Sequence, residues 1–110
     1  MSQKYKKRGK ILRDAIEIIN GERQDIYGNP EDSFETIADY WTTYLKARGL
    51  LPNGAELSAL DAAIMLALFK IARMSGQEPC VDNFTDAAGY LGIAGDMVEE
   101  ENADLGDGNE

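Results

Sequence analysis

The chain has 110 residues, 44% of them hydrophobic, and a formal net charge of −9. That is one domain's worth of chain, with apolar material for a modest core. With no histidine and a single cysteine, Cys80, an internal disulfide and a zinc site are excluded. The acidic balance disfavours duplex nucleic acid as a partner.

In chain order, residues 1–10 form a basic segment with five Lys/Arg and no acid. An amphipathic pattern follows it, not the apolar block and cleavage site of a signal peptide, and no run of about 18 apolar residues exists to span a membrane. The expected location is the cytoplasm. In the first predicted helix Leu12, Ala15, Ile16 and Ile19 recur at i, i+3, i+4 and i+7, which predicts one buried stripe ending at Asn20-Gly21. A second helix is predicted from Asn29-Pro30, with Asn29 as N-cap, Pro30 at the first helical position and Asp32 at N3. Its stripe is Phe34, Ile37, Ala38, Trp41 and Leu45, and Gly49 follows its end.

The loop "GLLPNGAEL" leads to Ser58, which caps a third helix with Asp61 at N3. From Leu60 to Ala72 this helix is apolar nearly all round, so it is expected to be the central and most buried element, ended by Gly76 and Pro79. Three short neighbours supply too little cover for such a helix, which predicts a homo-oligomer. A fourth helix is expected from Asp82-Asn83, with Asn83 and Asp86 as a capping box and Phe84, Ala87, Ala88, Leu91 and Ile93 as its apolar face. Gly89, Gly92 and Gly95 each cost about 1 kcal/mol relative to Ala inside a helix, so this element is expected to be short. From Glu99 the chain is acidic and nearly free of large apolar residues, which predicts a disordered tail. No segment alternates with period two. The reading is therefore an all-α, four-helix domain over residues 11–98, flanked by the basic segment 1–10 and the acidic tail 99–110.

Three constellations carry possible chemistry. The connector between the first two helices holds Gly21, Arg23, Tyr27, Gly28, Asn29 and Pro30. Its glycines permit close backbone approach, the start of the second helix offers N–H groups to an anion, Arg23 can fork onto a phosphate and Tyr27 can stack on a base. A plain connector with a solvated Arg23 and a packed Tyr27 explains the same residues. In "FKIARMSG", Lys70 and Arg73 share a face at the end of the third helix, either to bind an anion or to complement the helix C-terminus. In "DNFTDAAGY", Asp82 and Asp86 at i, i+4 can hold Mg²⁺, accept hydrogen bonds from a base or ribose, or pair with Lys70 and Arg73. Glu31 and Glu35 have the same spacing in the second helix, where they also suit the helix dipole.

Taken together, "GERQDIYGNPEDSFETIADYWTTYL", "LDAAIMLALFKIARM" and "DNFTDAAGYLGI" resemble a family of small helical proteins encoded largely by bacteriophages and prophages, over roughly residues 11–93. The resemblance points to Arg23, Tyr27, Gly28, Trp41, Asp61, Lys70, Arg73, Asp82, Asp86, Gly89 and Tyr90. More distantly the chain looks like the MazG-type all-α nucleoside triphosphate pyrophosphohydrolases, which hold Mg²⁺ on E-E-x-x-E and E-x-x-D signatures of two helices. Here "EDSFETIAD" offers Glu31, Glu35 and Asp39, and "ELSALD" offers Asp61, so the metal-binding signature is incomplete.

These readings converge on a phage-type protein that binds a small phosphate-containing nucleotide and sequesters it, without turnover, from host defence signalling. Arg23, Tyr27, Gly28, Trp41, Lys70, Arg73, Asp82, Asp86 and Tyr90 are the expected ligand contacts, and no cofactor is required. The alternative is a Mg²⁺-dependent pyrophosphohydrolase with Glu31, Glu35, Asp39 and Asp61, or the Asp82/Asp86 pair, as metal ligands. A further alternative is an acidic protein-binding inhibitor.

Overall fold

A computed structural model of the chain describes residues 7–20, 30–76 and 78–106. The described residues form four helices: α1 (Arg8–Asn20), α2 (Pro30–Ala47), α3 (Ala59–Arg73) and α4 (Val81–Gly106). The fold is all-α, with no strand among the described residues. Asn29, Gly21 and the rest of the first connector lie outside those residues, so the expected caps on either side of it do too.

The packing is an open layer in the order α1, α4, α3, α2. α4 and α3 share the largest contact, α2 lies against α3 with only a minor touch on α4, and α1 lies chiefly on α4. The radius of gyration is 16.8 Å, against about 13 Å for a compact chain of 100 residues. The core joins Phe34 and Ala38 of α2, Ala62 and Ala63 of α3, and Ile93 and Ala94 of α4. Ile37, Trp41, Leu66, Tyr90 and Met97 pack around it.

Small side chains dominate this core. Among the described buried hydrophobic residues only Phe34 and Ile93 are larger than alanine, and no large side chain among the described residues is fully buried. Alanines let helix backbones approach closely, but they leave the larger apolar residues of α3 pointing outward. The expectation that α3 is the most buried element is thus corrected: Ala62, Ala63 and Ala67 face the layer, whereas Ile64, Met65, Leu68, Phe69 and Ile71 are 38–56% exposed. A similar correction applies to α1, where Ala15 is buried and Ile19 half-buried while Leu12 and Ile16 stay exposed. A helix lying mainly on one neighbour buries a stripe narrower than its apolar pattern.

Capping follows the sequence closely at two helix ends. Ser58 Oγ accepts from the Asp61 backbone N–H at 3.1 Å, and Asp61 Oδ2 accepts from the Ser58 backbone N–H at 2.9 Å, a complete capping box on α3. α2 ends in a Schellman turn: Leu50 N–H reaches the Leu45 carbonyl at 2.9 Å and Gly49 N–H the Lys46 carbonyl at 3.0 Å. Gly49 takes the left-handed φ of 72° that this turn requires. Buried Thr42 then ties α2 to the incoming loop, its Oγ1 accepting from the Leu57 N–H at 2.9 Å.

α4 departs from the expectation of a short helix and of disorder from Glu99. It starts at Val81, which places Asn83 inside the helix and buried instead of at a cap, and it runs 26 residues to Gly106. Two of its glycines are contacts, not breaks: a Cβ at Gly89 would stand 3.3 Å from Ile19 Cγ2, and one at Gly92 would stand 3.6 Å from Ile19 Cδ1. Beyond them Met97 still touches the core. Glu99, Glu100, Glu101, Ala103 and Leu105 are good helix formers that extend an existing helix without a new nucleus. At Gly95 a Cβ meets nothing within 4 Å. Gly95→Ala is therefore expected to stabilise the protein by about 0.5–1 kcal/mol, measured as a higher denaturant midpoint. Gly89→Ala, crowding Ile19, is expected to gain less or to lose.

Candidate functional site

The last turn of α1 and the first turn of α2 both border the middle of α4. Between them is a cleft of about 330 Å³ lined by Ile19, Asn20, Pro30, Glu31, Gly92, Ile93 and Asp96. Each wall has a local cause. Gly92 lacks a side chain, so α4 presents backbone to the cleft and Ile19 can approach it. Asp96 stands one turn further along α4, on the same face as Gly92. Pro30 opens α2 at the first helical position, where its missing N–H costs nothing. Glu31 follows it, half-buried.

The chemistry of this cleft is mixed. Glu31 and Asp96 present carboxylate oxygens that accept hydrogen bonds from hydroxyl or amino groups. The first turn of α2 presents backbone N–H groups and the positive end of the helix dipole. A guest suited to both would carry donors at one end and negative charge at the other. The cleft's volume falls at the small end of the range for small-molecule pockets. Residues 21–29, which join Asn20 to Pro30 in the sequence, are outside the described residues. Arg23, Tyr27 and Gly28 are among them.

The remaining expected contacts separate into two groups. Lys70 and Asp86 meet: Lys70 Nζ lies 3.0 Å from Asp86 Oδ2, with 19% and 27% of the two side chains exposed. This pair bridges α3 and α4 and takes up the charge that interrupts the apolar run of α3. Arg73 is exposed, its guanidinium 5.6 Å from the Phe69 ring centre, and Lys70 Nζ is 5.7 Å from the same ring. Tyr90 and Trp41 are half-buried and pack on the core, with Tyr90 tilted against Phe34 at 6.0 Å between ring centres. Neither Lys70, Arg73, Trp41 nor Tyr90 lines the cleft at the α2 N-terminus. Asp82 lies apart from it as well, in a second, shallower depression of about 500 Å³ with Lys10, Asp14, Glu17, Ile18, Val81 and Thr85. There Lys10 Nζ is paired with Asp14 Oδ2 at 2.7 Å.

Among the described residues no three Asp, Glu or Cys side chains gather into a group able to hold a metal ion. Asp61 is engaged by Ser58, through both its N–H and its hydroxyl, and Glu35 and Asp39 are exposed on α2. The four carboxylates Glu31, Glu35, Asp39 and Asp61 are not gathered into one group among the described residues. Sequence reasoning did not single out Asp96, Gly92 and Asn20. The i, i+4 spacing of Gly92 and Asp96 on one helix face was the signal available, and it was masked by assigning this region to a fading helix end.

A family model described as "Domain of unknown function (DUF6378)" matches residues 10–98. The Gene 55 protein of Mycobacterium phage D29 is 39% identical over 90 residues, covering 82% of this chain and 54% of the relative. The Gene 55 protein of Mycobacterium phage L5 is 39% identical over 83 residues, covering 76% of this chain and 49% of the relative. The chain thus spans about half the length of the curated relatives it matches. No solved structure matches.

Proposed function

Because this chain belongs to the DUF6378 family, with mycobacteriophage proteins among its relatives, we propose that it is a phage-type protein that binds a small phosphate-containing nucleotide and releases it unchanged. The observation that carries this reading is the cleft at the junction of α1, α2 and α4, lined by Asp96 of α4 and by Pro30 and Glu31 of the first turn of α2. Glu31 and Asp96 accept from ribose hydroxyls or an exocyclic amine. The phosphate lies toward the α2 N-terminus, with Arg23 as its cation and Tyr27 as a stacking ring. Lys70 and Asp86 serve the α3–α4 contact.

Binding without turnover is favoured over hydrolysis on the donor set. Cleavage of a phosphoanhydride needs convergent carboxylates to place metal ions on the phosphate oxygens, and the described acids do not converge. The phage setting of the relatives supports a role in which a host nucleotide is withdrawn from use in the bacterial cytoplasm.

The test is a nucleotide panel, with and without Mg²⁺, read by thermal shift and by chromatography of the nucleotide afterwards. At a concentration 100 times Kd a bound nucleotide stabilises by about 2.7 kcal/mol, which for a domain of this size raises Tm by roughly 10–20 °C. The nucleotide is expected to be recovered intact. Glu31→Gln and Asp96→Asn are each expected to weaken binding about tenfold or more, and Arg23→Ala at least as much. Pyrophosphate release would replace this reading with the hydrolase. No shift with any nucleotide, or affinities indifferent to Glu31→Gln and Asp96→Asn, would end it.

A further inference from the structure

The outer face of α3 is the largest departure from ordinary burial in this molecule. Ile64, Met65, Leu68, Phe69 and Ile71 lie on it, 38–56% exposed. Leu68 is at its centre: Ile64 stands one turn before it, Met65 and Ile71 three residues to either side, and Phe69 at the edge near Arg73. Meanwhile the core that α3 helps to form is built mostly from alanines. The large side chains that would ordinarily fill a core are on the opposite side of the helix.

We propose that this face is the contact between two copies of the chain, which pair α3 against α3 around a two-fold axis near Leu68. Two features select a second copy as the occupant. The first is charge. The chain carries −9, so identical molecules repel unless they meet through a neutral patch, and α3 has no charged residue between Asp61 and Lys70. Asp61 is held in the capping box and Lys70 is paired with Asp86 on the opposite side of the helix. The second is area. Taking about 200 Å² for each fully exposed side chain, the five residues expose on the order of 450 Å² per protomer. An isologous pairing uses that patch twice, on the order of 900 Å² from these side chains alone, about three-quarters of the ~1,200 Å² at the lower end of stable interfaces.

The experiment is sedimentation of the full chain at tens of micromolar, which does not depend on any nucleotide. The wild type is expected at about twice 12.1 kDa. Leu68→Glu is expected to shift it to the monomer, with the dimer dissociation constant raised 100-fold or more and helical circular dichroism retained. Near a two-fold axis, residue 68 of one copy faces residue 68 of the other, so mixing Leu68→Glu with Leu68→Lys is expected to restore the dimer mass. Should Leu68→Glu fail to fold, Leu68→Cys in a Cys80→Ser background decides, since oxidation then gives a covalent dimer only if the two positions meet. A monomeric wild type, a dimer that survives Leu68→Glu in folded protein, or no crosslink at position 68 overturns the proposal.

Discussion

Phe34→Ala is expected to destabilise the protein by about 3–5 kcal/mol, seen as a lower urea midpoint with an unchanged m-value at fixed protein concentration. The size of the effect follows from how few large side chains the core possesses. Phe34 is 6% exposed, and of its buried partners Ala38, Ala62, Ala63 and Ala94 have no atoms to move into the space it would vacate. Its ring also supports Tyr90, so α2 would lose its main hold on α4. Against a total of about 5–15 kcal/mol for a domain, this is a third or more of the stability. A loss below about 1 kcal/mol would show that the core is not organised around α2 in this way.

The second large effect concerns the Lys70–Asp86 pair. Lys70→Met is expected to cost about 1–3 kcal/mol, because it strands a carboxylate that is only 27% exposed. Adding Asp86→Leu is expected to recover most of that loss, since two apolar groups of similar volume replace an ion pair that was costly to desolvate. The cycle also separates structure from function. With the nucleotide seated at Glu31 and Asp96, the double variant keeps the affinity of the wild type. A double variant that is stable but has lost nucleotide binding would move the site to the end of α3.

Much of the fold could be read from local chemistry. Ser58 and Asp61, Gly49, and the Phe34–Leu45 stripe of α2 were all legible because each depends on spacing within one or two turns. Less legible was which apolar side of a helix faces inward. Periodicity marks where apolar residues lie but not which of them a neighbour will choose, and in α3 the neighbours chose alanines. The same limit applies to α1, where Ala15 is buried in preference to Leu12. Gly89 and Gly92 misled in the other direction. A glycine's cost in a helix is a local property, while its benefit here is the approach of Ile19 from a distant part of the chain. For the site, Glu31 was noticed among the acids of the second helix, but Asp96 became meaningful only once α4 was brought beside the start of α2. The Lys70–Asp86 link was one of several pairings the sequence permitted, and packing selected it.

The way α1 is attached has its own consequence. It rests chiefly on α4, through Ile19 on Gly89 and Gly92, and it forms one side of the cleft with its last turn. Undocking α1 would dismantle the cleft while α2, α3 and α4 keep their mutual contacts. Any guest seated there is linked to that opening: occupancy raises the cost of α1 leaving, and the intrinsic ease of leaving sets how quickly the guest can escape. Residence time would then be set by the adhesion of one short helix, which a point change at Gly89, outside the cleft lining, can lengthen or shorten without touching a single atom of the guest.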